Sequence, residues 1–153
     1  MFHVVLFEPE IPPNTGNIIR LCANTGSHLH LIRPLGFELD DRRLKRAGLD
    51  YREWARMRVH DTLDDFLESV APPRVYALST HATRSYAETS YAPGDALLFG
   101  PETRGLPAEV RVRFAEGLRR IPMVAESRSL NLSNAATAVL YEAWRQNGFA
   151  GAG

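Results

Sequence analysis

The chain is poor in the residues that most often mark a chemistry. It has one cysteine, Cys22, so an internal disulfide and a cysteine-based metal cluster are both excluded. It has one lysine, Lys45; the other seventeen basic residues are arginine, the side chain suited to planar, bidentate phosphate contacts. Eighteen basic residues balance eighteen acidic ones, so the whole molecule does not attract nucleic acid or membrane by net charge. No apolar run approaches the roughly 20 residues of a membrane span. The first ten residues, MFHVVLFEPE, lack a basic leader, and Glu8 ends their short apolar run. No signal peptide is expected, and a cytoplasmic location is the default. The five histidines show no ligand spacing: His28 and His30 flank Leu29, while His3, His60 and His81 read as isolated surface or strand-edge residues. No metal site is expected.

What is present is a regular alternation. Strand-like runs fall at 3–7, 28–32, 57–60, 74–78, 96–100 and 118–123. Helical patterns fall at 15–25, 42–48, 61–70, 107–116 and 134–147. Strands alternating with helices over short connections predict an α/β fold with a mainly parallel sheet flanked by helices. The length suits one domain, 1–153, with no separate RNA-binding domain, and the FAGAG tail at 149–153 is expected to fray.

Three stretches carry more polar chemistry than folding needs. The first is NTGNIIRLCANTG, 14–26. Ile18, Leu21, Cys22 and Thr25 form one helical face, which places Cys22 in the core. Asn17, Arg20 and Asn24 share another face, where Glu and Lys would be ordinary. Asn14 or Thr15 reads as the helix cap, and Gly16 as a point of close backbone approach. The second stretch is LLFGPETRGLP, 97–107, a buried-looking strand running into a Gly/Pro loop. Ligands of open α/β sheets bind beyond such strand ends. The loop has no P-loop lysine, and Glu102 beside Gly100 argues against a phosphate cradle. The third is IPMVAESRSLNLSNAATAVLYEAWRQ, 121–146: a strand end, a loop rich in hydroxyls and amides, then a helix capped by Ser133 or Asn134. Its core face is Ala136, Val139, Leu140, Ala143 and Trp144. A fourth stretch, 40–58, carries seven basic residues against four acidic ones. It reads as a solvated helix and loop, or as a phosphate-contacting patch with Tyr51 and Trp54 available to stack on bases.

In this order the three stretches resemble the three motifs of the SpoU branch of the SPOUT RNA methyltransferases. Asn14-x-Gly16 with Arg20 and Gly26 resembles the first, Leu98-Phe99-Gly100-Pro101-Glu102-x-x-Gly105-Leu106 the second, and Ile121-Pro122-Met123 with Ser129-Leu130-Asn131-Leu132-Ser133 the third. The likeness runs from residue 4 to about 148. Within the branch it is greatest to the small bacterial subgroup that 2′-O-methylates the wobble nucleotide, cytidine or modified uridine, of leucine tRNAs. EPEIPPNTGNIIRLCANTG, KRAGLDY, FGPETRGLP, SRSLNLSNA and YEAWRQ carry that closer likeness. The alternatives are a 2′-O-methyltransferase for another tRNA or rRNA position, or a non-catalytic RNA-binding protein of the same fold.

The resemblance implies a C-terminal deep trefoil knot and a homodimer with its active sites at the interface. It implies S-adenosylmethionine as cofactor and S-adenosylhomocysteine as product. Carried over by position, the cofactor contacts are Leu78, Gly100, Ile121, Met123, Ser129 and Leu130. The catalytic group is Arg20, Asn14, Glu102 and Asn131, with Glu102 holding either Arg20 or a loop amide. The tRNA anticodon loop would meet Arg20, Arg128, Arg42, Arg43 and Arg46. Tyr141 would meet the RNA or lie at the dimer interface.

Overall fold

A computed structural model describes all 153 residues. Its elements run β1 (His3–Phe7), α1 (Pro12–Thr25), β2 (His28–Ile32), α2 (Asp41–Arg46), α3 (Tyr51–Trp54), β3 (Arg58–His60), α4 (Leu63–Val70), β4 (Val75–Leu78), β5 (Ala96–Phe99), α5 (Ala108–Arg113), β6 (Leu118–Arg119) and α6 (Leu132–Gln146). The six strands form one sheet in the order β3-β2-β1-β5-β4-β6. Every ladder is parallel.

The central strands are buried on both faces, which is why β5 and residues 4–7 of β1 are continuous apolar runs. Successive side chains alternate between faces. Val4 and Leu6 join a core cluster with Ile18 and Cys22 of α1 and with Ala136, Val139 and Leu140 of α6. Val5 and Phe7 join the opposite cluster with Phe66 of α4 and Val110 of α5. Burial pushes the Cys22 thiol up to about 12, so it stays an unreactive core group.

Several expectations need correction. The expected strand 118–123 pairs regularly only at Leu118–Arg119, with one further bridge from Arg120 to Ser85. Pro122 has no N–H to extend a ladder. The expected helix 107–116 divides into α5 and a 3-10 turn at Ala115–Gly117. The basic stretch holds two short helices, each started by an aspartate, Asp40 and Asp50. Trp54 is 7% exposed and belongs to the core, so it cannot stack on a base; Tyr51 is exposed. Neither Asn14 nor Thr15 caps α1. That helix starts at Pro12, where a missing N–H costs nothing, and ends at Gly26 in the left-handed conformation. A side chain at Gly16 would meet nothing, so no close approach explains that glycine. Asn131, two or three residues earlier than expected, caps α6.

The histidines are not isolated. His3, His28, His30 and His60 stand on one face of β1, β2 and β3. His3 Nδ1 lies 2.9 Å from His30 Nε2, and His30 Nδ1 lies 3.0 Å from His60 Nε2. With both nitrogens of His30 engaged, one donates and the other accepts when the ring is neutral. Phe66 closes the row edge-on against His30 and His60. Burial, then the neighbouring imidazoles, push His30 down to about 3.

Candidate active site

Strand order reverses between β1 and β5, the position where open parallel sheets bind ligands beyond their strand ends. The loops there enclose a cavity of about 540 Å³. Four segments build it. Ile11 and Asn14 come from the start of α1, and Leu78 to His81 from the end of β4. Phe99 to Leu106 come from the end of β5, and Ile121, Met123 and Arg128 to Leu132 from the loop before α6.

Two exchanged carboxylates lock the first loop to the third. Glu102 accepts hydrogen bonds from the backbone N–H groups of Glu10 (2.8 Å) and Ile11 (2.9 Å) and from Asn14 Nδ2 (3.3 Å). Glu10 in return accepts from Thr103, through its N–H (2.9 Å) and its hydroxyl (2.8 Å), and these bonds lower the Glu10 pKa. Of the two roles considered for Glu102, the structure gives it loop amides and not Arg20. The carboxylate thereby satisfies donors at the α1 N-terminus, where negative charge is favourable.

Asn131 completes the lock. Its Nδ2 donates to Asn14 Oδ1 (2.9 Å), and its Oδ1 accepts from the Ser133 N–H (2.9 Å). Asn14, Glu102 and Asn131, 117 residues apart at the extremes, thus form one hydrogen-bonded row. Gly100 is required where the loop folds back: a Cβ there would lie 2.6 Å from the Gly105 carbonyl carbon and closer still to the Leu106 nitrogen.

The cavity brings together Asn14, Leu78, Gly100, Glu102, Ile121, Met123, Arg128, Ser129, Leu130 and Asn131 from the residues singled out above. It does not include Arg20, Tyr141, Arg42, Arg43 or Arg46. Arg20 lies on the exposed face of α1, where Glu53 and the Gly48 carbonyl hold it. Arg43 is paired with Glu38 and Asp40, whereas Arg42, Arg46 and Arg128 make no ion pair. Tyr141 is exposed on α6 and packs its edge against Trp144. Sequence reasoning missed Glu10, Thr103, Ser79, Thr80 and His81. Glu10 and Thr103 lie within the singled-out stretches, but nothing local pairs them, and no pattern marks Ser79, Thr80 and His81; only the meeting of strand ends does.

The model of the SpoU rRNA Methylase family matches residues 1–141. The chain belongs to the SpoU methylase family. Its similarity to a tRNA (cytidine(34)-2'-O)-methyltransferase of Saccharophagus degradans is 62% identity over 152 residues, 99% of each chain. A solved structure presented as "Structural insights into the 2-OH methylation of C/U34 on tRNA" superposes with a TM-score of 0.87 at 49% identity, covering 97% of both chains. The SpoU methyltransferase AviRb from Streptomyces viridochromogenes, in complex with AdoMet, superposes at 0.80 with 26% identity, over 95% of this chain and 57% of its own. In this SpoU methylase the motif loops therefore meet in one cavity built on the family's parallel sheet. No helix is long and apolar enough to cross a membrane.

Proposed function

We propose that this protein transfers the methyl group of S-adenosylmethionine to the ribose 2′-oxygen of the wobble nucleotide of tRNA. Cytidine or modified uridine at position 34 of leucine tRNAs is the substrate, and the reaction takes place in the cytoplasm. The observation that carries the reading is the 62% identity, over 99% of both chains, to a relative named for methylating cytidine 34. The leucine assignment rests on the resemblance of EPEIPPNTGNIIRLCANTG and SRSLNLSNA to the subgroup that acts on leucine tRNAs.

The donor set fits the cofactor. A cavity of about 540 Å³ is within the ~300–1,000 Å³ usual for small-molecule sites. The backbone N–H and C=O groups of Ile121, Met123, Ser129 and Leu130 make no hydrogen bond within the chain, although these residues line the cavity. Such groups suit the edge of an adenine and a ribose, while Leu78, Phe99 and Leu106 provide apolar walls. These residues, with Gly100, would hold the cofactor. When bound, S-adenosylmethionine supplies a methyl group on a sulfonium, open to in-line attack, and leaves as S-adenosylhomocysteine.

The remaining roles belong to the chain. Asn14, Glu102 and Asn131 fix the three loops around the nucleotide. Arg20 binds the ribose-phosphate and favours the developing charge on the 2′-oxygen. It is not the base: a guanidinium stays protonated, and the bond to Glu53 raises its pKa further. A phosphate oxygen of the RNA takes the proton. Holding the 2′-oxygen at near-attack distance contributes on the order of 7–11 kcal/mol to lowering the barrier.

A homodimer reconciles the two halves of this site. Arg20 lies outside the cavity of its own chain, so the α1 face of one copy serves the cavity of the other. Exposed Ile11 and Leu130 at the cavity rim and exposed Tyr141 on α6 suit that contact. A C-terminal trefoil knot fits the pairing around β6. Arg119 and Arg120 bond on one side to the end of β4, through the Ser79 N–H to the Arg119 carbonyl. On the other side they bond to residues 84–86, through the Arg120 N–H to the Arg84 carbonyl and the Tyr86 N–H to the Arg120 carbonyl. Bonds on both sides of β6 support a 79–95 connection that passes around the strand leading to α6.

The test is methyl transfer from labelled S-adenosylmethionine to total tRNA from a strain lacking its own copy of the enzyme. Label on the 2′-oxygen of the leucine-tRNA wobble nucleotide is the expected result. Label elsewhere would move the substrate to another RNA position, and cofactor binding without transfer to any RNA would leave only an RNA-binding role. Arg20→Lys is expected to keep cofactor affinity and lose most turnover; near-normal turnover would remove Arg20 from the mechanism.

A further inference from the structure

Arg20 is held on a platform whose acid, Glu53, lies outside the motif stretches. Its Nε donates to Glu53 Oε2 at 2.6 Å. Its Nη2 donates to Glu53 Oε1 at 3.2 Å and to the Gly48 carbonyl at 2.7 Å. A guanidinium has five N–H groups in a rigid plane. Three are used here, and the two on Nη1 make no bond within the chain. The Arg20 side chain is 53% exposed and that of Glu53 only 17%, so the carboxylate lies beneath and the free edge of the arginine faces outward.

Glu53 is itself fixed. Its Oε1 accepts from the Asp50 N–H at 3.0 Å, while its own N–H donates to Asp50 Oδ1 at 3.1 Å, a reciprocal capping box at the start of α3. The helix is anchored through Trp54, buried in the core beside α1. The line of support therefore runs from the core through α3 and Glu53 to one orientation of the Arg20 plane.

We propose that Glu53, with the Gly48 carbonyl, is the positioning residue that aims the Nη1 edge of Arg20 at the target nucleotide. The inference rests on the role given to Arg20 above. A surface ion pair contributes little to stability. The value of this one is orientation: a small displacement of a positioning group can cost on the order of a hundredfold in rate. A bidentate clamp on the inner edge leaves the outer edge as the only place where a phosphate oxygen or the 2′-oxygen can meet this arginine.

Glu53→Gln tests this. The amide keeps the length of the side chain and an oxygen for the Asp50 N–H, but it turns a donor toward Arg20. The expected result is a fall of at least about tenfold in kcat, from a lost orientation. The dissociation constant for S-adenosylmethionine and the melting temperature stay where they were, and KM for tRNA changes less than kcat. In an Arg20→Ala background, the same change causes no further fall. Unchanged kcat in Glu53→Gln, alongside a strong loss in Arg20→Ala, would overturn the inference and leave the function standing. Full turnover in Arg20→Ala would overturn both. A kcat loss accompanied by weaker cofactor binding or a lowered melting temperature would make Glu53 a structural residue only.

Discussion

Acidification should destabilise this protein through one buried ring before any carboxylate responds. His30 is 1% exposed, and its pKa is pushed down to about 3. The groups facing it are His3 on β1, His28 on its own strand, and His60 and Arg58 on β3. Phe66 adds an apolar wall, and the Asp65 carboxylate acts on His60 in the opposite direction. In the unfolded chain the ring titrates at the ordinary value of about 6.5. The unfolded state thus binds the proton first, and stability is lost as pH falls below 6.5 toward 3. From pH 7.5 to 5.5 the loss from His30 alone comes to about 1.4 kcal/mol, and by pH 4.5 to about 2.7 kcal/mol. His3, His28 and His60 are shifted in the same direction, chiefly by burial, and add to it. The lowered carboxylates, Glu10, Asp40, Glu53 and Glu142, lose their share only below about pH 4.5. The window from 7.5 to 5.5 therefore isolates the imidazoles. The assay is urea unfolding at fixed protein concentration across that window, in wild type and in His30→Gln. The variant is expected to be less stable at pH 7.5, from lost packing, and its pH slope should be shallower by about 0.7 kcal/mol per unit. Equal slopes would refute the assignment of His30 as the neutral buried ring.

Other outcomes concern the site. In Gly100→Ala the new methyl meets the Gly105–Leu106 backbone, so the loop must move, and affinity for S-adenosylmethionine should fall at least about tenfold, or 1.4 kcal/mol; normal binding by calorimetry would contradict the close packing. Asn131→Ala should lose about 0.5–2 kcal/mol of stability with the α6 cap. Asn131→Asp keeps the cap but sets an acceptor against Asn14 Oδ1, so its loss of stability reports that bond rather than the cap, and turnover should fall with it. If Arg42, Arg46 and Arg128 each meet one phosphate of a single-stranded loop, tRNA affinity should fall with a log–log salt slope of about −2. Binding that barely changes between 50 and 200 mM salt, where that slope gives roughly twentyfold, would remove the arginine patch.

Fold class was legible because its signal is local. Unbroken apolar runs at 4–7 and 96–99 are what a strand covered on both faces requires, and the helical spacing of Ala136, Val139, Leu140 and Ala143 identified a face that the structure buries completely. The motif stretches were legible as excess chemistry: Asn14, Glu102 and Asn131 carry more hydrogen-bonding capacity than a turn or helix start needs. Their partners were not. Glu102 could be read as a companion of Arg20 because nothing in the sequence says that the end of β5 lies beside the start of α1; the β1–β5 ladder decides that. Caps were misplaced for a related reason. A donor at a helix start can be met by a residue 91 positions away, as at Ile11, and short-range pattern carries no record of it. The histidine row is the clearest case. Five scattered residues look like surface in one dimension, and only the in-register alignment of β1, β2 and β3 brings four of them onto one buried face. The sequence by itself determined the periodicities, the polar surplus and the near absence of lysine and cysteine. The tertiary structure decided which distant groups share a cavity, because strand order and register are set by the packing of the whole sheet and not by any neighbouring residue.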